Sequence, residues 1–335
     1  MAGLGAVEAN AGSVCRSLAA ACDGLLATSL PARGLFYEDP FSIGIAGGFS
    51  TETARKCFSQ ADLIVAVGCS LASHNSDAGK LWPNAHTLQI DIDPVCLNQG
   101  YYAASSHLLA DARLGVEALL EKVVQREKSW RNKKLVQQIK IAPADSEVFP
   151  SEPDAHDPRD VVLAIDAAIP KDWEVVNSSG HSSYYFAQMP ERPQVRFLTI
   201  REFGAIGNGI SFAMGVSVAN PETPVVLFDG DGSLLVHIQE LETIVRQKLN
   251  ILIVVMNDGA YGSEIHKLRA EGLPDTGANF GRTDIASIAR GFGAKGERID
   301  DLSILAKLVV EFKINKSLTI WDFPVSDKVV SPVIR

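Results

Sequence analysis

The sequence predicts an α/β fold made of two doubly wound domains with mainly parallel sheets. Three observations point there. Apolar runs of strand length, such as Ala61–Val67 (ADLIVAV) and Asn250–Met256 (NILIVVM), alternate with segments of helical spacing. The length, 335 residues, exceeds one ordinary core and suits two domains. A proline-bearing acidic stretch, Ile141–Asp160 with Pro143, Pro150, Pro153 and Pro158, separates the halves, because proline lacks an N–H and biases the preceding residue toward extended backbone. The expected division is 1–125, a linker over 126–158 beginning with the charged, helix-like Arg126–Lys140, and 159–335.

In the first half Thr51–Ser59 has helical spacing, and Ala61–Val67 reads as a buried parallel strand ending at Gly68. His86–Ile92 (HTLQIDI) is a second strand closed by Asp93-Pro94, and Ala112–Val124 is a helix. This βαβ alternation gives a Rossmann-like sheet. The second half repeats it: helix Asp160–Ala168, strand Trp173–Asn177, small-residue helix Asn208–Ala219, strand Pro224–Phe228, helix Leu234–Gln247, strand Asn250–Met256, helix Ile285–Arg290 and strand Ser317–Asp322.

Composition narrows the function classes. The chain is 46% hydrophobic and 21% charged, with net charge −9, which disfavours nucleic acid or an anionic membrane as partner. Apolar runs such as Ile251–Met256 are too short to span a bilayer, and the start, with Glu8 and no basic stretch ahead of an apolar core, does not read as a signal peptide. Five cysteines (Cys15, Cys22, Cys57, Cys69, Cys96) include no CxxC pair and read as reduced thiols, so the expected location is cytoplasmic.

The informative segment is Pro224–Gly262. One strand runs into Asp229-Gly230-Asp231-Gly232-Ser233 and directly into a helix; the next ends in Asn257-Asp258-Gly259-Ala260. Asp231 and Asp258 stand 27 positions apart, about one βαβ step, which brings both carboxylates to the carboxyl ends of nearby parallel strands, where open α/β sheets bind ligands. Two carboxylates and a carbonyl of the Gly259–Ala260 turn suit Mg²⁺, a hard cation that keeps company with phosphates. Gly230 and Gly232 permit close backbone approach, and Ser233 heads the helix, where free N–H groups favour an anion.

Rival readings are weaker. A Gly-Asp-Gly turn alone is common. Asp229, Asp231, Ser233 and Glu240 fall at EF-hand loop positions, but Leu234 occupies the place that needs glycine, and the flank reads as strand. No GxxxxGK[ST] loop is present.

Gly230-Asp231-Gly232 followed by Asn257-Asp258-Gly259, with Tyr261-Gly262 after it, resembles the signature of thiamine diphosphate-dependent enzymes, in the branch of acetolactate synthase, benzoylformate decarboxylase and pyruvate decarboxylase. The family usually has a second asparagine where Asp258 stands, so this chain adds negative charge beside a diphosphate. The resemblance implies that Asp231, Asp258 and the Ala260 carbonyl hold Mg²⁺. It further implies that Gly230, Gly232, Ser233, Tyr261 and Gly262 surround the cofactor, thiamine diphosphate. In Arg201–Gly207 (REFGAIG), Ile206 takes the place of the residue that wedges the cofactor's rings, and the Gly204 carbonyl that of the acceptor for its exocyclic amine. In Asn177–Ser183 (NSSGHSS), His181 and Ser182 take the places of diphosphate donors. His237 and His266 have no motif support.

Leu30–Phe49, Ala61–Leu71 and Gln89–Pro94 resemble the family's central domain, which binds FAD or another adenine nucleotide in some relatives; Gly3-x-Gly5 gives FAD no support here. The family's pyrimidine-binding domain carries a glutamate that activates the cofactor. The stretch ahead of the central domain is expected to lack this domain and the central domain's usual first strand, and Glu8, Glu38, Glu52 and Glu202 match no such position, so the activating catalytic residue is unassigned.

The resemblance therefore implies a decarboxylase or carboligase acting on a 2-oxo acid, expected to be a truncated chain, a fragmentary gene product or one half of a split enzyme. It would work with a pyrimidine-binding domain in cis or in trans, as a homo-oligomer. The alternatives are a subunit that binds Mg²⁺ and cofactor without turnover, and a nucleotide-dependent oxidoreductase using the first domain.

Overall fold

The computed structural model describes residues 1–93, 104–124, 129–190, 192–200 and 202–334, with the backbone alone at position 202. Cys96, Pro94, Arg201 and the start of the Arg126–Lys140 stretch lie outside the described residues. The chain divides into two units, Met1–Ser146 with Glu191–Val195, and Glu147–Pro190 with Arg196–Arg335.

In the first unit β1 (Leu26–Thr28) pairs in parallel with β2 (Ser42–Ile45), and β3 (Leu63–Val67), β4 (His86–Asp91) and β5 (Ser106–Leu109) form a parallel three-stranded sheet. Ala2 bridges Thr28 of β1 and Val67 of β3, joining the two groups. Helix Glu52–Ser59 starts where expected because the Thr51 hydroxyl caps it, accepting the Ala54 N–H at 3.1 Å. Helix Ala112–Leu120, capped by Asp111, ends four residues before the expected Val124; the chain turns at Glu121, Val123 still packs against the core, and Val124 is 84% exposed.

The second unit carries six parallel strands: β6 (Glu174–Asn177), β7 (Phe197–Thr199), β8 (Val225–Gly230), β9 (Ile251–Asn257), β10 (Lys295–Arg298) and β11 (Thr319–Pro324). Their spatial order is β10-β11-β9-β8-β6-β7. Successive residues of β8 and β9 serve opposite faces. Val226, Phe228, Leu252 and Val254 enter one core, and Val225, Leu227, Ile251 and Ile253 the other. Burial on both faces explains the unbroken apolar runs of the sequence, each such side chain contributing roughly 1.5–3 kcal/mol.

The structure corrects two helix expectations. The segment Leu234–Gln247 is not one helix: Asp231–Val236 and Glu240–Gln247 are separate, and His237 at the break directs Nδ1 to the Gly207 carbonyl at 2.6 Å. Ser233 is therefore the third residue of a six-residue helix rather than its head, and so short a helix has little macrodipole. Pro158 does not interrupt the chain. It occupies the first turn of helix Pro158–Ala168, where its missing N–H is not needed, behind an Asp157 cap that accepts the Arg159 N–H at 2.8 Å.

Candidate functional site

The chain leaves β6 toward β7 on one side of the sheet and leaves β8 toward β9 on the other. The carboxyl ends of β6 and β8 thus flank a topological switch point, where an open parallel sheet leaves a crevice. A cleft lies at this edge, lined by the loops after β6, β8 and β9. It gathers His181, Ser182, Ile206, Gly230, Asp231, Gly232, Ser233, Asp258, Ala260, Tyr261 and Gly262. Of the positions singled out in the sequence only Gly204 is outside its lining; Gly204 is exposed, with φ +63, and a Cβ added there would meet nothing within 4 Å.

Asp231 is 1% exposed. Its Oδ1 accepts the Gly232 N–H at 2.8 Å and its Oδ2 the Gly259 N–H at 2.9 Å, which ties the β8 loop to the β9 loop. The carboxyl groups of Asp231 and Asp258 are close enough to share a hydrogen bond. Burial pushes Asp231 up to about 7, with the nearby Asp322 adding to the shift and the Gly232 and Gly259 N–H groups opposing it. Burial and then the Asp231 charge raise Asp258 well above the usual carboxylate range. Two carboxyls sharing a buried site favour a proton or a cation between them.

The Gly259 carbonyl accepts the Phe280 and Gly281 N–H groups, and Ala260, whose carbonyl is outside that pairing, lines the cleft. Among the described residues no three or more His, Cys, Asp or Glu side chains group as a metal centre.

Glycine is required at two points. A Cβ on Gly262 would approach Asp258 Oδ2 to 2.5 Å and His181 Nδ1 to 2.7 Å, and one on Gly232 would meet the Tyr261 ring at 2.9 Å. Ser182 Oγ is buried without a hydrogen-bond partner among the described residues, an orphan hydroxyl on the cleft wall.

His181 departs from its expected role as an N–H donor. The Tyr185 hydroxyl donates to the Val329 carbonyl, so at 3.1 Å it accepts from His181 Nε2. In the neutral ring this network assigns the proton to Nε2 and leaves Nδ1 a lone pair beside Gly262. Burial, then the His266 ring 4.6 Å away, holds the His181 pKa well below its usual value, so the ring is neutral near pH 7. Ser182 is left as the free donor of that loop.

Ser233 Oγ accepts the Gly207 N–H at 2.9 Å and lies 3.1 Å from Ser178 Oγ. The hydroxyl expected at an anion thus also positions the Ile206–Gly207 segment. Sequence reasoning missed Ser178, Tyr185, His266 and Asp322. Asp322 accepts the Asn257 amide at 2.8 Å and the Ile285 N–H at 3.1 Å, anchoring the residue before Asp258. The one signal available for the aromatic group was spacing: His181 and Tyr185 stand four apart on one helical face.

A parallel doubly wound sheet with the buried Asp231 and the half-buried Asp258 at its switch point defines the class: an α/β protein with a polar cleft where open sheets bind ligands. Comparison with known proteins sharpens that class. Residues 178–322 match the model of the thiamine pyrophosphate enzyme C-terminal TPP binding domain, and residues 1–119 match that of the thiamine pyrophosphate enzyme central domain. The chain belongs to the thiamine pyrophosphate enzyme family.

It is 28% identical over 319 residues to the acetolactate synthase large subunit of Parasynechococcus marenigrum, covering 90% of this chain and 50% of the relative. It is 27% identical over 285 residues to a putative acetolactate synthase large subunit of Mycobacterium tuberculosis, covering 82% and 50%. The chain thus spans about half the length of these relatives. The structure of benzoylformate decarboxylase from Polynucleobacter necessarius shares the fold, with TM-score 0.74 at 21% identity, covering 98% of this chain and 61% of that one. Among the described residues no helix is long and apolar enough to cross a membrane.

Proposed function

We propose that the chain supplies the diphosphate- and Mg²⁺-binding part of a thiamine diphosphate-dependent 2-oxo acid decarboxylase or carboligase of acetolactate synthase-like type. The observation that carries this reading is the acidic pair of buried Asp231 and half-buried Asp258, side by side at the switch point in the segment that matches a TPP binding domain.

The residues present fit such a group. An unpartnered hydroxyl, Ser182 Oγ, stands on the cleft wall among the described residues, and Gly232 and Gly262 let the Tyr261 ring and the Asp258 carboxylate pack close against the backbone there. Asp231, Asp258 and the Ala260 carbonyl would ligate Mg²⁺, and Ser182 would donate to the diphosphate. Thiamine diphosphate, when bound, supplies the electron sink that 2-oxo acid decarboxylation needs.

The protein's own part is to bind, orient and exclude water. Ile206, half-buried against Gly180, presents an apolar side chain to the cleft, and Ser233 and His237 brace the segment that carries it. Phe203 is fully exposed, and Tyr261 and Phe280 are 39% and 43% exposed. Tyr261 and Phe280 pack edge to face at 5.3 Å, and these exposed apolar rings support docking of a pyrimidine-binding domain, in cis or in trans, and assembly as a homo-oligomer.

Isothermal titration of the purified chain with thiamine diphosphate tests the reading. Saturable binding that requires Mg²⁺ and is lost in Asp231→Ala is the expected result. Binding indifferent to Mg²⁺ and to that substitution would remove the reading.

A further inference from the structure

Two helices of the first unit face each other without closing. Lys56 and Cys57 of helix Glu52–Ser59, with Gln60 just after it, line the same cavity as Lys134, Leu135, Gln138 and Ile141 of helix Lys133–Ile141. Each set recurs at helical spacing and so forms one face. Helices in full contact sit about 8–10 Å apart with their side chains interlocked. Here Leu135 and Ile139 join the core that holds Cys57, and beside that seam the two faces leave a cavity of about 600 Å³. That volume falls within the roughly 300–1,000 Å³ of small-molecule sites.

The outer wall is tied down at both ends. Asp23 accepts the N–H groups of Ser129, Trp130 and Arg131 at 2.7, 2.6 and 3.1 Å. Glu52 accepts the Ser146 N–H at 3.3 Å and the Ser146 hydroxyl as well. Between these ties Leu135 is the one buried side chain among the described residues. The second helix is thus held across the cavity by its ends and a narrow apolar seam, and the space beneath it lies between fixed walls.

The lining is amphipathic. Cys57 and Leu135 are buried, Trp130 is half-buried, and Ile141 is 79% exposed. Lys56 and Lys134, one from each wall, form no ion pair among the described residues. Glu52, the only carboxylate described in the lining, is engaged by Ser146. The cavity therefore offers apolar surface and two unpaired cations.

We propose that this cavity binds a fatty carboxylate, with its chain along Trp130, Leu135 and Ile141 and its head group between Lys56 and Lys134. Each lysine carries its charge on a flexible four-carbon stem, so both ammonium groups can turn to one head group. Charge-assisted hydrogen bonds from ammonium to carboxylate are the strong ones, and the chain gains by leaving water. An alcohol of the same length lacks the charge, and an alkylammonium brings like charge to the lysines. The site lies wholly in the first unit and does not depend on the acidic cleft of the second.

Tryptophan fluorescence of the full chain reads binding, because Trp82, Trp173 and Trp321 are buried and Trp130 is the half-buried one. Titration with decanoate, below its micelle concentration, is expected to change the emission saturably, and the change should vanish in Trp130→Phe. Calorimetry should show the same saturation in the parent. In the double variant Lys56→Gln, Lys134→Gln, both positions exposed, decanoate should bind about tenfold more weakly or worse, as loss of charge-assisted hydrogen bonds requires. Decanol and decylammonium should bind the parent more weakly by a similar factor. Absence of saturable decanoate binding, equal binding of the carboxylate and the alcohol or ammonium, or unchanged affinity in the double variant would overturn the proposal. An emission change that survives Trp130→Phe would overturn it too, since the ligand would then sit elsewhere.

Discussion

Ser233 Oγ accepts the backbone N–H of Gly207 at 2.9 Å, coupling the acidic loop after β8 to the glycine-rich segment that carries Ile206. Both partners are buried. Replacing Ser233 by alanine orphans that N–H and removes the contact to Ser178, a loss of about 1–3 kcal/mol. The expected outcome for Ser233→Ala is a midpoint lowered by several degrees in thermal unfolding, with weaker thiamine diphosphate binding in titration. Unchanged stability would show that the segment is held by His237 alone.

Gly262 offers a separable test of the acidic pair. An alanine methyl would press on Asp258 Oδ2 and His181 Nδ1, both nearer than ordinary van der Waals contact. The residue opens helix Gly262–Ala270, where alanine is otherwise favoured, so the strain of Gly262→Ala falls on the Asp258 and His181 side chains, which must shift, and not on the helix. We expect Mg²⁺-dependent cofactor affinity to fall on the order of tenfold, about 1.4 kcal/mol, while circular dichroism is unchanged. Retained affinity would place the Asp258 carboxylate outside the ligand set.

The sequence made the sheet legible because strands buried on both faces leave continuous apolar runs, and β8 and β9 lie within a residue or two of where those runs end. The acidic pair was legible for a similar reason: one βαβ step is nearly constant in length, so 27 positions bring Asp231 and Asp258 to adjacent strand ends. What stayed hidden depended on contacts distant in sequence. The break at His237 coincides with a bond to Gly207, 30 residues earlier, and no local propensity encodes it. The tautomer of His181 is set by Val329 through Tyr185, and the anchoring of Asn257 by Asp322, 65 residues later. Short strands such as β1 and β7, three residues each, carry too little pattern to register.

His266 gives the second unit a pH dependence. It is buried, its Nε2 has no partner among the described residues, and burial, then Arg269 and Lys328, hold its pKa at about 4, with Asp327 and the Val329 carbonyl opposing. Between about 4 and 6.5 the unfolded chain binds a proton that the folded chain does not, so stability rises with pH across that window and is lost on acidification. Buried carboxyls such as Asp229, raised to about 7, act with the opposite sign, so the comparison must be made between variants. In His266→Gln the fall in stability from pH 7 to pH 4.5, measured by urea unfolding, should be smaller than in the parent by roughly 1–3 kcal/mol. Parallel pH profiles would mean that His266 protonates in place.

The last prediction concerns turnover, and it follows from the face that bears Phe203. Phe203 adopts φ +56 and is fully exposed, and Gly204 beside it has open space on its Cβ side. Left-handed backbone at a phenylalanine costs about 1–2 kcal/mol, which a ring in solvent does not offset. On the proposed reading, the residues around the acidic pair would grip one end of the ligand, and this segment would press on the other end from one side only. In the chain alone water would then reach the reacting end, and a proton could not be withheld from it. We therefore expect the chain alone to bind thiamine diphosphate and Mg²⁺ and to show negligible decarboxylation of pyruvate or benzoylformate. Adding a pyrimidine-binding domain from an acetolactate synthase, fused or separate, should raise turnover well above background. Asp231→Ala should abolish that gain through loss of the cofactor. Phe203→Ser, which touches nothing buried, should leave stability within about 0.5 kcal/mol while weakening the response to the added domain. Carbon dioxide release measured across these four proteins decides it: robust turnover by the unaided chain would mean that a residue of its own performs the activation assigned to the partner.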